Sequence, residues 1–173
     1  MIETLIQGKI RVKLLTKLLL NPNNTVYLRG LEKEFGVSSN TVRYELNKLS
    51  SVKLIEIVEN ADSNQKQYKA NTRHPLFENL RGFILKQFGI DALIEKVFDR
   101  LGDVERVYLT HDWAEGKIGP FLDIVVVGKV NNEYMHVLIK KAEPILQRKI
   151  RVAQFETLEN PPQWEGIPWV QLV

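Results

Sequence analysis

Residues 28–54 read LRGLEKEFGVSSNTVRYELNKLSSVKL, and their apolar spacing predicts two short helices with a corner between them. Leu28, Leu31 and Phe35 recur at helical intervals. Gly36 follows where a left-handed residue commonly ends a helix. The first helix of the pair therefore ends at residue 35 or 36.

The second helix of this pair begins after a serine. Ser38 is typical of a cap, because its hydroxyl can accept the backbone N–H of the next turn. Val42, Leu46 and Leu49 then repeat at intervals of three and four residues and form one apolar side. The two helices together predict a helix-turn-helix.

The opposite side of the second helix is polar, and we predict that it contacts DNA. Short or planar hydrogen-bonding side chains suit base edges and phosphates in a major groove. Any amphipathic helical hairpin also leaves polar residues facing water, so spacing alone does not decide the matter. The residues predicted to face bases are Ser39, Asn40, Arg43 and Asn47, and those predicted to lie near sugar-phosphate are Thr41 and Tyr44.

A β-hairpin is predicted after the second helix. Residues 54–59 (LIEIVE) alternate like a strand, residues 61–65 (ADSNQ) form a turn cluster, and residues 66–70 (KQYKA) return as a second strand. Such a hairpin is a wing, and we predict that Lys66 on it reaches a backbone phosphate.

An amphipathic helix opens the chain. It has an apolar side and a strongly basic opposite side. The apolar residues are Ile10, Leu14, Leu15 and Leu18, and the basic ones are Lys9, Arg11, Lys13 and Lys17. The predicted order is helix, helix, helix, hairpin.

With this order, residues 8–70 resemble the winged helix-turn-helix domains of small bacterial transcription regulators of the arsenical-repressor (ArsR-like) type. The resemblance implies a homodimer that places two recognition helices in successive major grooves of double-stranded DNA, at a roughly palindromic operator. Some winged helices bind protein instead, and that alternative stays open here. Many members sense metals through cysteine, whereas this chain has no Cys and three scattered His (His74, His111 and His136), so we expect neither a metal site nor a cofactor.

The charge is unevenly distributed over the 173 residues. Residues 1–75 carry 12 Lys+Arg against 7 Asp+Glu, and residues 76–173 carry 12 against 14. Positive charge in the first part is what phosphate neutralisation requires. No apolar run approaches membrane-spanning length and no signal core opens the sequence, so we expect a cytoplasmic protein.

A helix with a wide apolar face is predicted over residues 76–88 (LFENLRGFILKQFG to residue 89). Its face could be buried by its copy in a second subunit or by the following domain, and we favour a dimer interface. We therefore divide the chain into a winged-helix domain (1–74), a linker and dimerisation helix (75–90) and a C-terminal domain (91–173).

The C-terminal domain has α/β character, which gives an α+β chain of two domains. Strands are predicted over residues 104–109, 122–127 and 150–155, with a helix over 133–147. The run VVV at 125–127 has no polar alternation, which indicates a strand covered on both faces. Residues 169–173 could add a strand or a clasp.

Within that domain, VYLTHDWAEGKIGPFLDIVVVGKVNNEYMHVLIKKAEPIL resembles the core of minimal nucleotidyltransferases of the polymerase-β superfamily, over about residues 92–157. Active members have a strand that ends in Gly-Ser, a loop and an Asp-x-Asp strand, with a further acid from a later strand. The resemblance implies that such carboxylates hold two Mg²⁺ ions and that Gly-Ser holds phosphate.

This chain departs from that pattern. It keeps Gly116 and Asp123 but has His111 and Asp112 in place of Gly-Ser, and either register of the acidic strand leaves one carboxylate. The later strand offers Arg151 where a third acid is needed.

One acid does not hold two metals, so we predict a vestigial site at His111, Asp112, Gly116 and Asp123 and no catalytic activity. The predicted function is a transcriptional regulator that reads an operator through its winged helix. The degenerate domain would serve regulation or dimerisation, with an effector that the sequence does not identify. Two alternatives remain: an active nucleotidyltransferase targeted by the winged helix, and a protein-protein interaction module.

Overall fold

A computed structural model describes residues 6–60, 63–159 and 162–173, with the side chains of residues 59–64 and 96–99 left aside. The chain forms two compact units, one that ends at Ile84 and one that spans Leu85–Val173. Helices are combined with two β-sheets, in agreement with a mixed α and β fold class. The treatment of residues 75–90 as a separate linker stays a prediction. In the described ranges, no helix has the length and apolar character needed to cross a bilayer.

Three helices open the first unit, as the periodicity predicts. They are α1 (Lys9–Leu20), α2 (Leu28–Phe35) and α3 (Ser39–Ser51). Gly36 ends α2 with φ 64°, the left-handed conformation that lacks a steric penalty in glycine. Ser38 caps α3, because its Oγ accepts the backbone N–H of Thr41 at 3.3 Å.

A three-stranded antiparallel sheet accompanies these helices in the first unit. Its strands are β1 (Val26–Tyr27), β2 (Ile55–Asn60) and β3 (Ser63–Ala70), in the order β1-β3-β2. The predicted turn over residues 61–65 is wrong for 63–65, which lie in β3. The ladder continues to the pair Asn60↔Ser63, so backbone pairing prevails over polar composition there. Residues 61–62 lie outside the described part.

The core of the first unit consists of the apolar sides that the periodicity identifies. Leu14 and Leu18 of α1 are fully buried, as are Leu31 of α2 and Val42 and Leu46 of α3. The inward side of α3 is therefore fixed, and its opposite side is left for solvent or a partner.

Two helices follow the hairpin: α4 (Phe77–Gln87) and α5 (Ile90–Arg100). Phe77, Ile84 and Leu85 of α4 are already buried in the single chain. Leu80 and Phe88 on the same face are half-buried, so part of that face remains accessible, and the homodimer stays a prediction.

The second unit contains a four-stranded mixed sheet and two helices between its strands. The elements are β4 (Gly102–Thr110), a short α6 (His111–Ala114), β5 (Phe121–Val130), α7 (Asn132–Leu146), β6 (Lys149–Phe155) and β7 (Trp169–Gln171). The strand order is β6-β5-β4-β7, in which β4 pairs antiparallel with β5 and β7, and β5 pairs parallel with β6.

The interior strand of this sheet is β5, as the unbroken VVV run predicts. Val125, Val126 and Val127 are all buried. Residues 169–173 were expected to form either a strand or a clasp, and Trp169–Gln171 forms the edge strand β7. Trp169 on β7 packs edge-on against Tyr108 of β4, with ring centroids 5.6 Å apart.

Candidate nucleic-acid interface

A cleft of about 480 Å³ lies in the first unit between α3 and the β2–β3 hairpin. Three separate stretches of sequence line it: the β1–α2 junction, α3 and β3. We call it the α3–hairpin cleft. Its lining residues are Tyr27, Leu28, Arg29, Arg43, Asn47, Gln65, Lys66 and Tyr68.

The cleft is rich in positive charge. Arg29, Arg43 and Lys66 line it from three different elements. None of the three forms an ion pair with another residue that the structure describes. Their charges therefore remain available to an anionic partner.

An ion pair to α1 fixes the position of α3. Arg11 Nε donates to Glu45 Oε2 at 2.8 Å, and its Nη2 donates to Oε1 at 3.2 Å. Glu45 is buried, and its hydrogen bond holds the pKa of Arg11 above the ordinary value. Because Glu45 is buried on the same side of α3 as Val42 and Leu46, this pair reinforces the orientation that the apolar residues set.

The structure divides the predicted contact residues of α3 into two groups. Asn40, Arg43, Tyr44 and Asn47 are exposed. Ser39 is half-buried instead, and its hydroxyl donates to the Glu32 carboxylate at 3.2 Å. Only the first group presents its polar atoms outward without such a commitment.

Two of the exposed predicted residues, Thr41 and Tyr44, also have local contacts. The Thr41 hydroxyl lies 2.9 Å from the Ser38 hydroxyl, where either can donate. The Tyr44 ring, 56% exposed, carries Lys48 Nζ 4.5 Å above its centroid. The Thr41 hydroxyl thus belongs to the cap, and Tyr44 is held beside a cation.

Lys66 lies across the cleft from α3, as the prediction of a hairpin contact requires. The sequence analysis missed Tyr27, Arg29 and Gln65. They join the site because β1 pairs with β3, with Tyr27 opposite Gln67. No local sequence signal indicates this, because the contact depends on the pairing of two strands about 40 residues apart.

The second predicted site, in the other unit, is built around an ion pair. Asp123 on β5 stands opposite Arg151 on β6 in the parallel register. Arg151 Nε donates to Asp123 Oδ1 at 2.6 Å, and its Nη2 donates to Oδ2 at 2.7 Å. The Phe121 ring lies 4.6 Å from the guanidinium carbon.

This ion pair satisfies the Asp123 carboxylate. Asp123 holds the pKa of Arg151 above its usual value, with a smaller contribution in the same direction from Asp112. His111 and Asp112 are exposed, and His111 Nδ1 lies 3.0 Å from the Thr110 hydroxyl. Gly116, with φ 73°, takes the turn after α6.

Over the residues that the structure describes, no group of three or more His, Asp or Glu side chains is arranged to hold a metal ion. Two acids of the second predicted site, Asp112 and Asp123, both interact electrostatically with Arg151.

Comparison with known proteins gives two weak structural likenesses. A protein of Methanosarcina mazei Go1 described as a possible transcriptional regulator is 19% identical over 57% of this chain and 83% of that chain, with a TM-score of 0.38. Sso10a-2, a DNA-binding protein from Sulfolobus solfataricus, is 18% identical over 54% of this chain and 95% of that chain, with a TM-score of 0.34. At these TM-scores neither likeness decides the fold or function of this chain. No protein-family model and no curated protein matches the sequence.

Proposed function

We propose that this chain is a DNA-binding transcriptional regulator whose first unit is a winged helix of the ArsR-like type. The observation that carries the proposal is the α3–hairpin cleft, where Arg29, Arg43 and Lys66 face one opening without acidic partners among the described residues. Duplex DNA has one phosphate charge per about 1.7 Å of axis, so closely spaced cations of this kind release counterions on binding.

In the proposed complex, α3 enters the major groove, which is about 12 Å wide and admits a helix. The hairpin then lies beside the adjoining backbone, with Lys66 toward a phosphate. The part-buried pair of Arg11 with Glu45 supports this arrangement, because it helps to hold the apolar side of α3 inward. We further propose a homodimer on a roughly palindromic operator, as closed two-fold assemblies are the commonest.

For the second unit we propose a nucleotidyltransferase-like domain that no longer transfers nucleotides. The support is Arg151, which stands beside Asp123 where the resemblance calls for another acid. A cation at that place repels divalent metals rather than binding them. The remaining roles are regulation or dimerisation of the DNA-binding unit.

The test is a salt series of gel shifts on random duplex DNA, with the parent chain and the variant Lys66→Ala. We expect the variant to bind all sequences more weakly and its log-log salt slope to shrink by about 0.9, the share of one phosphate contact. Lys140→Ala, at an exposed lysine of α7, is the matched control and should leave the slope unchanged.

Salt-insensitive binding by the parent chain, or equal slopes for the parent and Lys66→Ala, would contradict DNA binding through the cleft. Salt-insensitive retention together with capture of a defined protein partner would favour the interaction-module alternative. Magnesium-dependent label transfer from a nucleoside triphosphate that is lost in Asp123→Ala would overturn the proposal for the second unit.

A further inference from the structure

Three side chains on the outer side of α3 keep their hydrogen-bonding groups uncommitted. Asn40, Arg43 and Asn47 are exposed, and none of their side chains makes a hydrogen bond or ion pair with another residue of the described ranges. Ser39 and Thr41, by contrast, use their hydroxyls within the protein. The outer side of α3 therefore presents two carboxamides and one guanidinium.

These three residues lie along one side of the helix in a fixed order. Their spacing of three and four residues brings them to successive turns, with Arg43 between the two asparagines. With a rise of about 1.5 Å per residue, the steps along the axis are about 4.5 and 6 Å. Base pairs are spaced by about 3.4 Å, so each step corresponds to one or two base pairs.

Each of these groups has a preferred base in the major groove. A guanidinium donates two parallel hydrogen bonds to O6 and N7 of guanine, whereas an asparagine amide pairs with N6 and N7 of adenine. Neither pairing is available at the other base, because adenine places a donor where guanine places an acceptor.

We infer that each α3 reads a G·C pair through Arg43, flanked within two base pairs on either side by A·T pairs read through Asn40 and Asn47. This inference rests on the proposed DNA-binding function and specifies its ligand. The preferred half-site thus has a G·C pair at its centre and an A·T pair within two base pairs on each side. Lys66 and Arg29, which also line the cleft, would bind backbone phosphates. Such contacts fix the position of the protein along the duplex but contribute no sequence preference.

The test is selection of bound duplexes from a random pool by the full chain, followed by competition binding with single-base changes. The parent chain should enrich a guanine with A·T pairs on both sides. Changing that guanine should lower the affinity of the parent chain by about 5- to 150-fold. Arg43→Ala should abolish this discrimination. Asn40→Ala and Asn47→Ala should each remove the preference for an A·T pair at one flanking position. Arg43→Lys keeps the charge but loses the planar fork, so it should retain affinity for random DNA and discriminate guanine less strongly than the parent.

Ser51→Ala is the matched control on the same helix. Its hydroxyl already donates to the Lys48 carbonyl at 2.8 Å, so the selected sequence should not change. Thermal unfolding of every variant is compared with that of the parent.

The inference is overturned if the selected sites lack the guanine with its flanking A·T pairs, or if Arg43→Ala weakens all duplexes equally and preserves the selected sequence. Both outcomes leave salt-dependent DNA binding in place, and so leave the proposed function standing. Absence of salt-dependent binding by the parent chain overturns the proposed function and the inference together.

Discussion

At the scale of single residues, the pair of Arg11 with Glu45 connects the fold to the proposed function. Two hydrogen bonds join α1 to α3 over a sequence separation of 34 residues. Side-chain exposure is 26% for Arg11 and 11% for Glu45, so solvent screens the pair less than an ordinary surface pair. The pair thus stabilises the outward orientation of Asn40, Arg43 and Asn47.

We predict that Glu45→Gln lowers the free energy of unfolding by about 1–3 kcal/mol, because a charged hydrogen bond is lost and Arg11 is left half-buried. Urea denaturation measures the effect. Glu56→Gln is the matched control, since the Glu56–Lys69 pair is more exposed and should be worth less than about 1 kcal/mol. A loss at Glu45 no larger than that at Glu56 would show that the pair does not anchor α3.

The ion pair of Asp123 with Arg151 joins two residues of the second unit that are distant in sequence. The sequence showed that one acid remained and that the later strand supplied an arginine. It did not show that the two meet, because that depends on the parallel register of β5 and β6. The structure places the guanidinium against the carboxylate, which gives the expected loss of catalysis a physical mechanism to test.

At the scale of elements, the irregular pairing of β4 with β5 depends on a glycine. The register shifts between Val104 and Arg106, and Gly128 stands opposite Val104 with φ 131°. A Cβ at residue 128 would collide with the backbone carbonyl of Asp103. Both the backbone conformation and the close approach therefore require glycine.

We predict that Gly128→Ala lowers the free energy of unfolding by about 3 kcal/mol or more, from backbone strain and the displaced carbonyl together. Gly82→Ala is the matched control. Gly82 lies inside α4 with open space around its Cα, so alanine there should stabilise by about 0.5–1 kcal/mol. Circular dichroism during urea denaturation measures both variants, and an unchanged midpoint for Gly128→Ala would show that the bulge tolerates a side chain.

Among the helices, α3 was the element best predicted from sequence. Its cap, its apolar side and its exposed side all follow from interactions within two turns of the chain. The hairpin was less well placed, since β3 begins three residues before the predicted strand. Strand limits depend on the partner strand, which local composition does not describe.

At the scale of the whole molecule, charge separates the two units. The first unit, residues 1–84, carries a net charge of +5, from 13 Lys+Arg against 8 Asp+Glu, and residues 85–173 carry a net charge of −2, from 11 against 13. Three of the cations of the first unit are gathered in the α3–hairpin cleft. The proposed partner, a polyanion, is therefore expected to engage the first unit.

We predict that adding duplex DNA slows amide hydrogen exchange in α3, the β1–α2 junction and β3, and leaves β4, β5 and β6 unchanged. The reason is that the contacts order the cleft residues, while the sheet of the second unit lies in the other compact body. Mass spectrometry of peptides from the full chain, with and without DNA, measures this. Protection in β5 and β6 would place the nucleic acid at the second unit instead.

The sequence by itself determined the three helices α1 to α3, the serine cap, the inward side of α3 and the interior position of the VVV strand. Each of these depends on periodicity or hydrogen bonding within a few residues. Only the tertiary structure decided that Tyr27 and Arg29 share a cleft with Lys66, that Arg11 meets Glu45 and that Arg151 meets Asp123. Those contacts join residues 28 or more positions apart, and strand register and helix packing set them jointly, so no local pattern encodes them.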